Sequence, residues 1–238
     1  MNIQAIRTRI FKEGENLVQF ITNYFPKIRK KSIIIVTSKI VALSEGRVVT
    51  PEHVATKEEL IRSESEVAIP TKYVWLTVKD GMVMASAGID ESNANGKFIL
   101  LPRNSFKSAR LLRRALQKKY RVKNVGVLIT DSRTMPLRAG VTGVALGYAG
   151  FRGIRDYRGR PDIFGRRFHY SRTDVADSLA TAAVLVMGEG NEQQPLAIIE
   201  NAPVEFCERV KRDELSIAVE DDMYRPIFEH LDRAKKGN

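Results

Sequence analysis

The sequence predicts a globular protein that combines helices with strands. Its 238 residues, 43% of them hydrophobic, suffice for one large domain or two small ones with a buried core. Apolar residues recur at helical spacing in some segments and form short strand-like runs in others. No apolar run approaches the ~20 residues needed to cross a bilayer, and the N-terminus lacks the apolar centre of a secretory signal. We therefore expect a cytoplasmic protein that is not embedded in a membrane.

The elements predicted in the first half of the chain are mostly short. Residues 13–25 have the spacing of an amphipathic helix, and residues 32–36 form an apolar run typical of a buried strand. This strand leads to Ser38 and Lys39, which suit a phosphate, although the Gly-x-x-x-x-Gly-Lys cradle is missing and a strand running into a helix N-cap fits equally well. The remaining elements are a charged surface helix at 55–65, a hairpin of 73–79 with 82–85, a strand at 98–101 and a basic helix at 105–120.

Two oxygen-rich loops each follow a predicted strand. The apolar run 125–129 leads to Asp131 and Ser132, after which Pro and Gly residues turn the chain. The second loop, residues 90–93, follows the short strand 82–85 and has four oxygen-bearing side chains enclosed by glycines. Each loop taken alone is more often a capped or solvated turn. Because carboxylate and hydroxyl oxygens bind divalent cations, the two loops together predict one shared site.

The composition changes sharply in the second half of the chain. Gly, Arg and aromatic residues recur between residues 138 and 168, which indicates either a flexible linker or an ordered loop system around a ligand. The aromatic residues favour the ordered loops. Residues 173–187 predict a helix with a small-residue face, and the polar loop after it contains Glu189, a further candidate metal ligand. A strand at 196–199 follows, and residues 214–233 are weakly helical.

Composition narrows the choice of partners. The single Cys207 excludes an internal disulfide and a thiolate zinc site, which fits a reducing compartment. The net charge of +11 suits a nucleic-acid binder, but the basic residues lie in separate segments without the aromatic interleaving of a single-strand platform. A positive field equally favours polyanionic small molecules such as nucleotides. Nucleic acid is therefore the less favoured partner.

Together these motifs resemble the gamma-glutamyl ligases that add L-glutamate to the lactyl-phosphate deazaflavin precursor of coenzyme F420. The resemblance covers residues 10–199 and depends on several motifs in the right order. They are Ser38-Lys39-Ile40-Val41, residues 45–49, residues 87–93, Leu101-Pro102, Thr130-Asp131-Ser132, Gly147-Tyr148-Ala149-Gly150, residues 158–166, Ala176-Asp177 and Val186-Met187-Gly188-Glu189. Each motif is modest alone, but their common order makes coincidence a poor explanation.

The resemblance implies an α+β fold in which helices pack on a mixed sheet, in a single compact unit that forms an intertwined homodimer. It implies a ligase-like core at residues 1–200, an active-site loop system at 138–168 within it, and an extension at 201–238 that packs on the core. The implied activity is that of a GTP- or ATP-dependent amide ligase with magnesium or manganese, and a monovalent cation is a further candidate. The implied substrates are L-glutamate, the nucleotide and a deazaflavin acceptor.

The same resemblance implies roles for individual residues. Asp90 and Asp131 resemble the ligands of one metal ion, and Ser132 and Glu189 resemble those of another. The residues that match nucleotide contacts are Ser38, Lys39, Asn93, Met187, Gly188, Gly190, Asn191 and Glu192.

The implied reaction activates a carboxylate for amide formation. Its simplest route is an acyl phosphate formed with the nucleotide γ-phosphate, which the amine of glutamate then attacks. Lys39 and Arg138 are the candidate catalytic residues, as cations that stabilise negative charge developing on the phosphate. Two other functions stay open, namely a phosphohydrolase relative that kept the metal site without ligase activity and a basic nucleic-acid-binding protein.

Several positions depart from the family pattern. Leu43 replaces a Lys, Glu189 replaces a metal-binding Gln, and residues 133–138 replace a Gly-Arg-Pro-Trp-Arg motif. Glu keeps an oxygen ligand where the family has Gln, so we expect metal binding to persist. The other departures bear on the choice of nucleotide and acceptor. Some divergent bacterial relatives resemble folate glutamate ligases, so a folate or dihydropteroate acceptor stays open.

Overall fold

The computed structural model describes residues 1–54 and 56–226. In this part of the chain the strands are β1 (Asn2–Ile6), β2 (Ser32–Thr37), β3 (Val48–Val49), β4 (Val67–Pro70), β5 (Trp75–Lys79), β6 (Met82–Ala85), β7 (Phe98–Ile99), β8 (Val125–Thr134), β9 (Val141–Ala149), β10 (Ile154–Asp156), β11 (Arg172–Asp174) and β12 (Leu196–Glu200). The α-helices are α1 (Leu17–Tyr24), α2 (Ser38–Ser44), α3 (Lys57–Ser63), α4 (Ser105–Tyr120) and α5 (Val175–Met187). No helix found there has the length and apolar character required to cross a membrane.

Five strands form a central sheet in the order β1-β12-β2-β8-β9. β2 and β8 are parallel, whereas the other neighbouring pairs are antiparallel. α1 and α4 cover one face of this sheet, and α5 covers the other. The prediction of an α+β fold with helices packed on a mixed sheet is therefore confirmed.

β2 shows how one strand contributes to both cores. Ile34 and Val36 point towards α1 and α4, whereas Ile33 and Ile35 point towards α5. Successive side chains of a strand face opposite sides of the sheet. Because helices cover both sides here, all four side chains are fully buried. A strand covered by helices on both faces has a continuous apolar sequence, which is the pattern that predicted β2.

A smaller unit carries one of the two oxygen-rich loops. β4, β5 and β6 form a three-stranded antiparallel sheet, which confirms the predicted hairpin between β5 and β6. α3 and this sheet share an apolar cluster. The chain leaves β6 through the one-turn helix Ser86–Gly88, and a backbone bridge then joins Asp90 to Ile99 of β7. Strand pairing therefore fixes the position of Asp90.

The predicted turn directly after Asp131 and Ser132 is wrong. β8 continues through both residues to Thr134 and pairs with β9, so that Asp131 lies opposite Val144. β9 occupies residues 141–149, inside the segment predicted to form loops. Asp131 therefore projects from a strand that is paired with β9, and the chain turns only after Thr134.

The helix bounds differ from the prediction where side chains cap the helices. α4 has the predicted bounds, but α1 begins four residues later than residue 13, after Asn16, whose side chain accepts from the amide of Gln19. α5 begins after Asp174, which accepts from the amide of Asp177, and the two residues before Asp174 belong to β11. Besides β9, the strands β1, β3, β4, β10 and β11 were not predicted.

The predicted weak helix at residues 214–233 falls partly outside the described residues. Within the described part, this segment contains the one-turn helix Val219–Asp221. Residues 227–238 lie outside the described residues, so the prediction is not tested there.

Two carboxylates of the segment after β12 accept hydrogen bonds from the core. The buried guanidinium of Arg113 donates to the two carboxylate oxygens of Glu208 at 3.0 and 3.1 Å. The hydroxyl of the fully buried Tyr148 donates to Glu214 at 2.7 Å, and the amide of Gly153 donates to the same oxygen at 2.9 Å. Burial and the neighbouring Glu214 raise the pKa of Tyr148, so the phenol remains a proton donor. The proposed domain boundary at residue 200 stays a prediction.

We expect Glu214→Ala to lower the free energy of unfolding by about 2 kcal/mol, because Tyr148 and Gly153 then lose their shared acceptor. Asp213→Ala removes the same charge from the adjacent exposed position and should cost less than about 0.5 kcal/mol. Urea unfolding followed by circular dichroism measures both changes. Equal losses in the two variants would show that the contacts of Glu214 do not stabilise the fold.

Candidate metal and nucleotide site

Parallel pairing of β2 with β8 brings two predicted site residues together at the end of the sheet where β2 terminates, which we call the site edge of the sheet. Thr37, the last residue of β2, lies opposite Thr130, so the residues that follow them, Ser38 and Asp131, are neighbours. The hydroxyl of Ser38 interacts with the carboxyl group of Asp131. Ser38 is also the first residue of α2, which confirms the strand-to-helix interpretation of this segment.

A salt bridge joins this edge to the second oxygen-rich loop. The ammonium of Lys39 lies 2.7 Å from Oδ2 of Asp90 and donates to the carbonyl of Ser92 at 2.8 Å. Oδ1 of Asp90 accepts from the amide of Ser92 at 2.6 Å. Lys39 therefore holds Asp90 close enough to Asp131 for the two carboxyl charges to interact. The two loops meet as predicted, while their role in metal binding stays a prediction.

The two carboxyl groups have opposite pKa shifts. Burial raises the pKa of Asp131 to about 7, and the charge of Asp90 adds to this effect, while the amide of Ser132 and the charge of Lys39 oppose it. Burial also acts to raise the pKa of Asp90, but hydrogen bonds from Lys39 and Ser92 outweigh burial and lower it. The ammonium group of Lys39 is thus paired directly with Asp90 and compensates the charge of Asp131 only in part.

The loop after α5 completes the site. α5 ends at Met187, and the next residue, Gly188, has a φ of 83°, which favours glycine. The next residue, Glu189, accepts a hydrogen bond of 2.5 Å from the hydroxyl of Ser132. The side-chain amide of Asn93 donates to the carbonyl of Gly190 at 3.1 Å. Residues predicted from distant parts of the sequence are therefore in direct contact.

Four other predicted site residues have different surroundings. Arg138 lies exposed near the tip of the β8–β9 hairpin, and within the described residues its side chain has no hydrogen bond or salt bridge. Met187 is 2% exposed and packs in the core, so its side chain is not accessible to a ligand. The carboxylate of Glu192 folds back to accept from the amide of Gly190 at 2.8 Å, and Asn191 is exposed beside it. Their roles stay predictions.

A small cavity beside Asp131 was not predicted from the sequence. Its volume is about 100 Å³, and Met82 and Met84 of β6 form part of an apolar wall. Arg133 also lines the cavity, and Asp177 of α5 lies 3.3 Å from its guanidinium. The signal for this wall was the position of β6, which directly precedes the acidic loop.

The side chains suit a cation that is shared with a phosphate-bearing ligand. Within residues 1–54 and 56–226, no three His, Cys, Asp or Glu side chains form a group that could hold a metal ion. We call the region formed by Asp90, Asp131, Ser132 and Glu189 the acidic corner. It offers the carboxyl groups of Asp90 and Asp131 with nearby hydroxyls. Magnesium is typically bound by one or two carboxylates, while phosphate oxygens and water complete its coordination. Asp131, whose charge Lys39 compensates only in part, fits this kind of site.

The fold and the site define a class of protein, an α+β protein with an acidic corner at the point where the parallel pairing of β2 with β8 ends. Comparison with known proteins identifies the family within this class. The chain belongs to the F420-0:gamma-glutamyl ligase family, whose pattern matches residues 5–201. The family resemblance inferred from the motifs is therefore confirmed.

Similar proteins from several organisms cover nearly the whole chain. The chain is 34% identical over 231 residues to the coenzyme F420:L-glutamate ligase of Methanococcus maripaludis, a match that covers 90% of this chain and 92% of that protein. Identity to the protein of the same name from Methanocaldococcus jannaschii is 32%, with coverage of 94% and 97%. For the Methanosarcina mazei protein it is 30%, with coverage of 100% and 97%.

In the presence of a chelator, we expect Asp131→Asn to stabilise the folded protein at alkaline pH. The carboxyl group of Asp131 has a pKa of about 7 in the folded protein and an ordinary value of 3.8, so the folded state binds the proton more tightly. The free energy of unfolding of the wild type therefore falls as pH rises from about 4 to about 7. The variant lacks this loss and should gain about 2 kcal/mol at about pH 8, with almost no gain at about pH 4. Urea unfolding at both pH values measures the gain.

Asp90→Asn is the matched comparison for this experiment. Because Lys39 and Ser92 lower the pKa of Asp90, its ionised form contributes stability above the ordinary pKa, and this contribution is lost as pH falls. The variant should therefore be less stable than the wild type at about pH 8. Destabilisation of the same size in both variants would contradict the opposite pKa shifts.

Proposed function

We propose that this protein is an L-glutamate ligase whose acceptor is a coenzyme F420 precursor or product. Support comes from the family match, which spans residues 5–201 and so includes the whole acidic corner. Relatives of 30 to 34% identity that cover nearly all of the chain are named coenzyme F420:L-glutamate ligases. The observation that carries the proposal is the convergence of Asp90, Asp131 and Glu189 at one edge of the sheet.

In this proposal, a divalent cation and a nucleotide occupy the acidic corner. Asp90 and Asp131 would hold one magnesium or manganese ion, and Ser132 with Glu189 would hold another. Such ions would neutralise the phosphates of GTP or ATP and stabilise charge during phosphoryl transfer. A monovalent cation is a further candidate. The raised pKa of Asp131 supports a cation there, because a positive charge would relieve the repulsion between the two carboxylates.

The chain's own cations take part in the proposed reaction. The acceptor carboxylate attacks the γ-phosphate and forms an acyl phosphate, and the nucleoside diphosphate leaves. The amine of L-glutamate then attacks the acyl carbon, an amide bond forms, the amine loses a proton and phosphate leaves. Lys39, which sits at the junction of both loops, stabilises negative charge on the phosphate, and Arg138 would do so after movement of the β8–β9 hairpin.

The acceptor is proposed to lie against the apolar wall beside Asp131. Met82 and Met84 offer flexible apolar contacts for a ring system, and Arg133 offers a cation for an anionic group. Both a deazaflavin and a folate-type acceptor contain such a ring and carboxylate. The names of the relatives favour the deazaflavin.

A homodimer is part of the proposal. Among the residues that the structure describes, six large hydrophobic side chains are at least 82% exposed, and they are Tyr73, Leu137, Ile163, Phe164, Tyr170 and Leu185. Apolar groups that protrude this far favour an interface with another molecule. A second copy of the chain would cover them.

We expect the wild type to add glutamate to coenzyme F420-0 when it is incubated with L-glutamate, GTP or ATP, and magnesium or manganese. Asp131→Ala should lower the rate about a hundredfold or more, because charge on the phosphate loses its stabilisation. Asp213→Ala, an exposed change of the same charge, should keep the wild-type rate. Mass spectrometry of the acceptor measures the reaction, with dihydropteroate and dihydrofolate as parallel acceptors.

Each result of this experiment separates the alternatives. If glutamate were added to a folate-type acceptor alone, the proposed substrate would be that acceptor instead of the deazaflavin. Phosphate release that does not depend on glutamate or acceptor would favour a phosphohydrolase. Equal activity of the wild type and Asp131→Ala would contradict the proposed site.

Glu189→Gln should keep most of the ligase activity, because an amide oxygen replaces a carboxylate oxygen at the same position. Glu189→Ala should lower the activity about tenfold or more, since it also removes the acceptor of the Ser132 hydroxyl. Asp213→Ala, at an exposed position outside the site, is the control for loss of a carboxylate. Initial rates at several metal concentrations measure the effect, and equal losses in the Gln and Ala variants would exclude Glu189 as an oxygen ligand.

A further inference from the structure

A second cavity lies between the β10–β11 hairpin and the segment that follows β12. Its volume is about 500 Å³. The six cations that line it are Arg152, Arg155, Arg158, Arg160, Arg172 and Lys211. Three acidic side chains line the same cavity, so the cations exceed the acids by three. Four of these arginines lie in the segment 138–168, for which the family resemblance implies an active-site loop system, but the cavity contains none of the proposed metal or nucleotide ligands.

The three acids are already engaged within the protein. Asp156 accepts from the guanidinium of Arg158 through both carboxylate oxygens, at distances of 2.6 to 3.0 Å. Glu205 lies 3.7 Å from Arg152. Glu214 is the acceptor for the buried contacts that attach this segment to the core. These acids therefore leave the remaining cations without a counter-charge.

Three of the cations keep their hydrogen-bonding capacity. Within the described residues, the side chains of Arg172 and Lys211 take part in no hydrogen bond or salt bridge. Arg160 stacks over the ring of Tyr157, with 5.7 Å between the guanidinium carbon and the ring centroid. Stacking orients the guanidinium plane and leaves its N–H groups available. The donors needed to bind an anion are thus present and partly oriented.

Hydrogen bonds from arginines of this cavity lower the pKa of two neighbouring side chains. Hydrogen bonds from Arg158 lower the pKa of Asp156 to about 2. A hydrogen bond from Arg155, together with the charges of Arg155 and Arg160, lowers the pKa of Tyr157. Both shifts favour an anionic form, as expected where cations are in excess.

We propose that this cavity binds a small molecule with two or more phosphate or carboxylate groups. Guanidinium groups bind either kind of anion through paired N–H donors. A volume of about 500 Å³ falls within the range of roughly 300 to 1,000 Å³ typical of small-molecule sites. It exceeds the space that one phosphate needs, and the available cations lie on both walls of the cavity. A ligand with several anionic groups matches this arrangement.

The cavity is distinct from the acidic corner. Val175, at the start of α5, lines the cavity, whereas Glu189 of the corner follows the end of the same helix. A helix of 13 residues spans about 20 Å. The two sites also have opposite charge, so a ligand of one is unsuited to the other without a cation. The proposal therefore does not depend on the ligase function.

A small molecule suits this cavity better than RNA does. Single-stranded nucleic acid is bound along extended basic grooves with aromatic platforms for successive bases. Here the available cations surround one concave region whose lining, within the described residues, contains no aromatic side chain, and the nearby ring of Tyr157 is stacked with Arg160. RNA is included as a competing ligand in the test.

The test is calorimetric titration of the full chain in a chelator, with pyrophosphate and tri-γ-glutamate as separate probes. We expect saturable binding of at least one probe, and Arg172→Ala or Lys211→Ala should weaken it about tenfold. Arg172→Lys, which keeps the charge but loses the paired donors, should weaken it less. Arg110→Ala and Lys118→Ala remove the same charge from the exposed face of α4 and should change binding less than about twofold.

The probes and controls decide between the outcomes. Binding of pyrophosphate alone or of tri-γ-glutamate alone supports the site and identifies its ligand as phosphate-bearing or carboxylate-bearing. Asp131→Ala should bind as the wild type does, and loss of binding in it would assign the anion to the acidic corner and overturn the proposal. Failure of both probes to saturate, equal weakening in the α4 controls, or binding of single-stranded RNA alone would also overturn it.

Discussion

The parallel pairing of β2 with β8 is the constraint on which the site depends. Parallel strands cannot be joined by a tight turn, so the chain must cross over between them. The crossover here runs from residue 38 to residue 124 and contains the smaller sheet and α4. Because the crossover starts at the end of β2 next to Asp131, its Asp90 loop can return to the same edge. One register, Thr37 opposite Thr130, thus determines which side chains meet.

α5 relates the two charged regions of the molecule. Its small residues let the helix lie directly on the sheet, and a Cβ added at Gly143 would lie 2.4 Å from the carbonyl oxygen of Ala180. One end of the helix leads to Glu189 in the acidic corner, and the other borders the cavity lined by Arg172. A rigid, closely packed helix therefore keeps an acidic and a basic site at a fixed separation.

The sequence predicted those features that arise from local periodicity. α4 has the predicted bounds because an amphipathic repeat and a capping Asn104 agree. β9 was missed because its glycines indicated loops. A Cβ at Gly147 would lie 2.5 Å from the backbone nitrogen of Phe106, so this glycine allows α4 to approach the sheet rather than making a turn. Such a requirement is tertiary and leaves no local signal.

The candidate site was predictable only in part. The motifs identified Asp90, Asp131 and Glu189, and the fold brings all three to one edge. The exposed position of Arg138 depends on where the β8–β9 hairpin turns, which the Pro and Gly residues did not reveal. The methionine-lined cavity depends on the placement of the small sheet against β8, a contact between distant segments. Long-range contacts of this kind are not encoded in any short stretch of sequence.

The charge distribution makes a cation central to the proposed reaction. Nucleotide, L-glutamate and acceptor are all anionic, and a net charge of +11 attracts each of them. The corner itself is acidic, because Lys39 compensates only one of the carboxyl groups of Asp90 and Asp131. A phosphate that approached this corner alone would meet like charge. In the proposed function, a divalent cation is therefore the condition that lets the anions attracted by the whole molecule bind at this acidic corner.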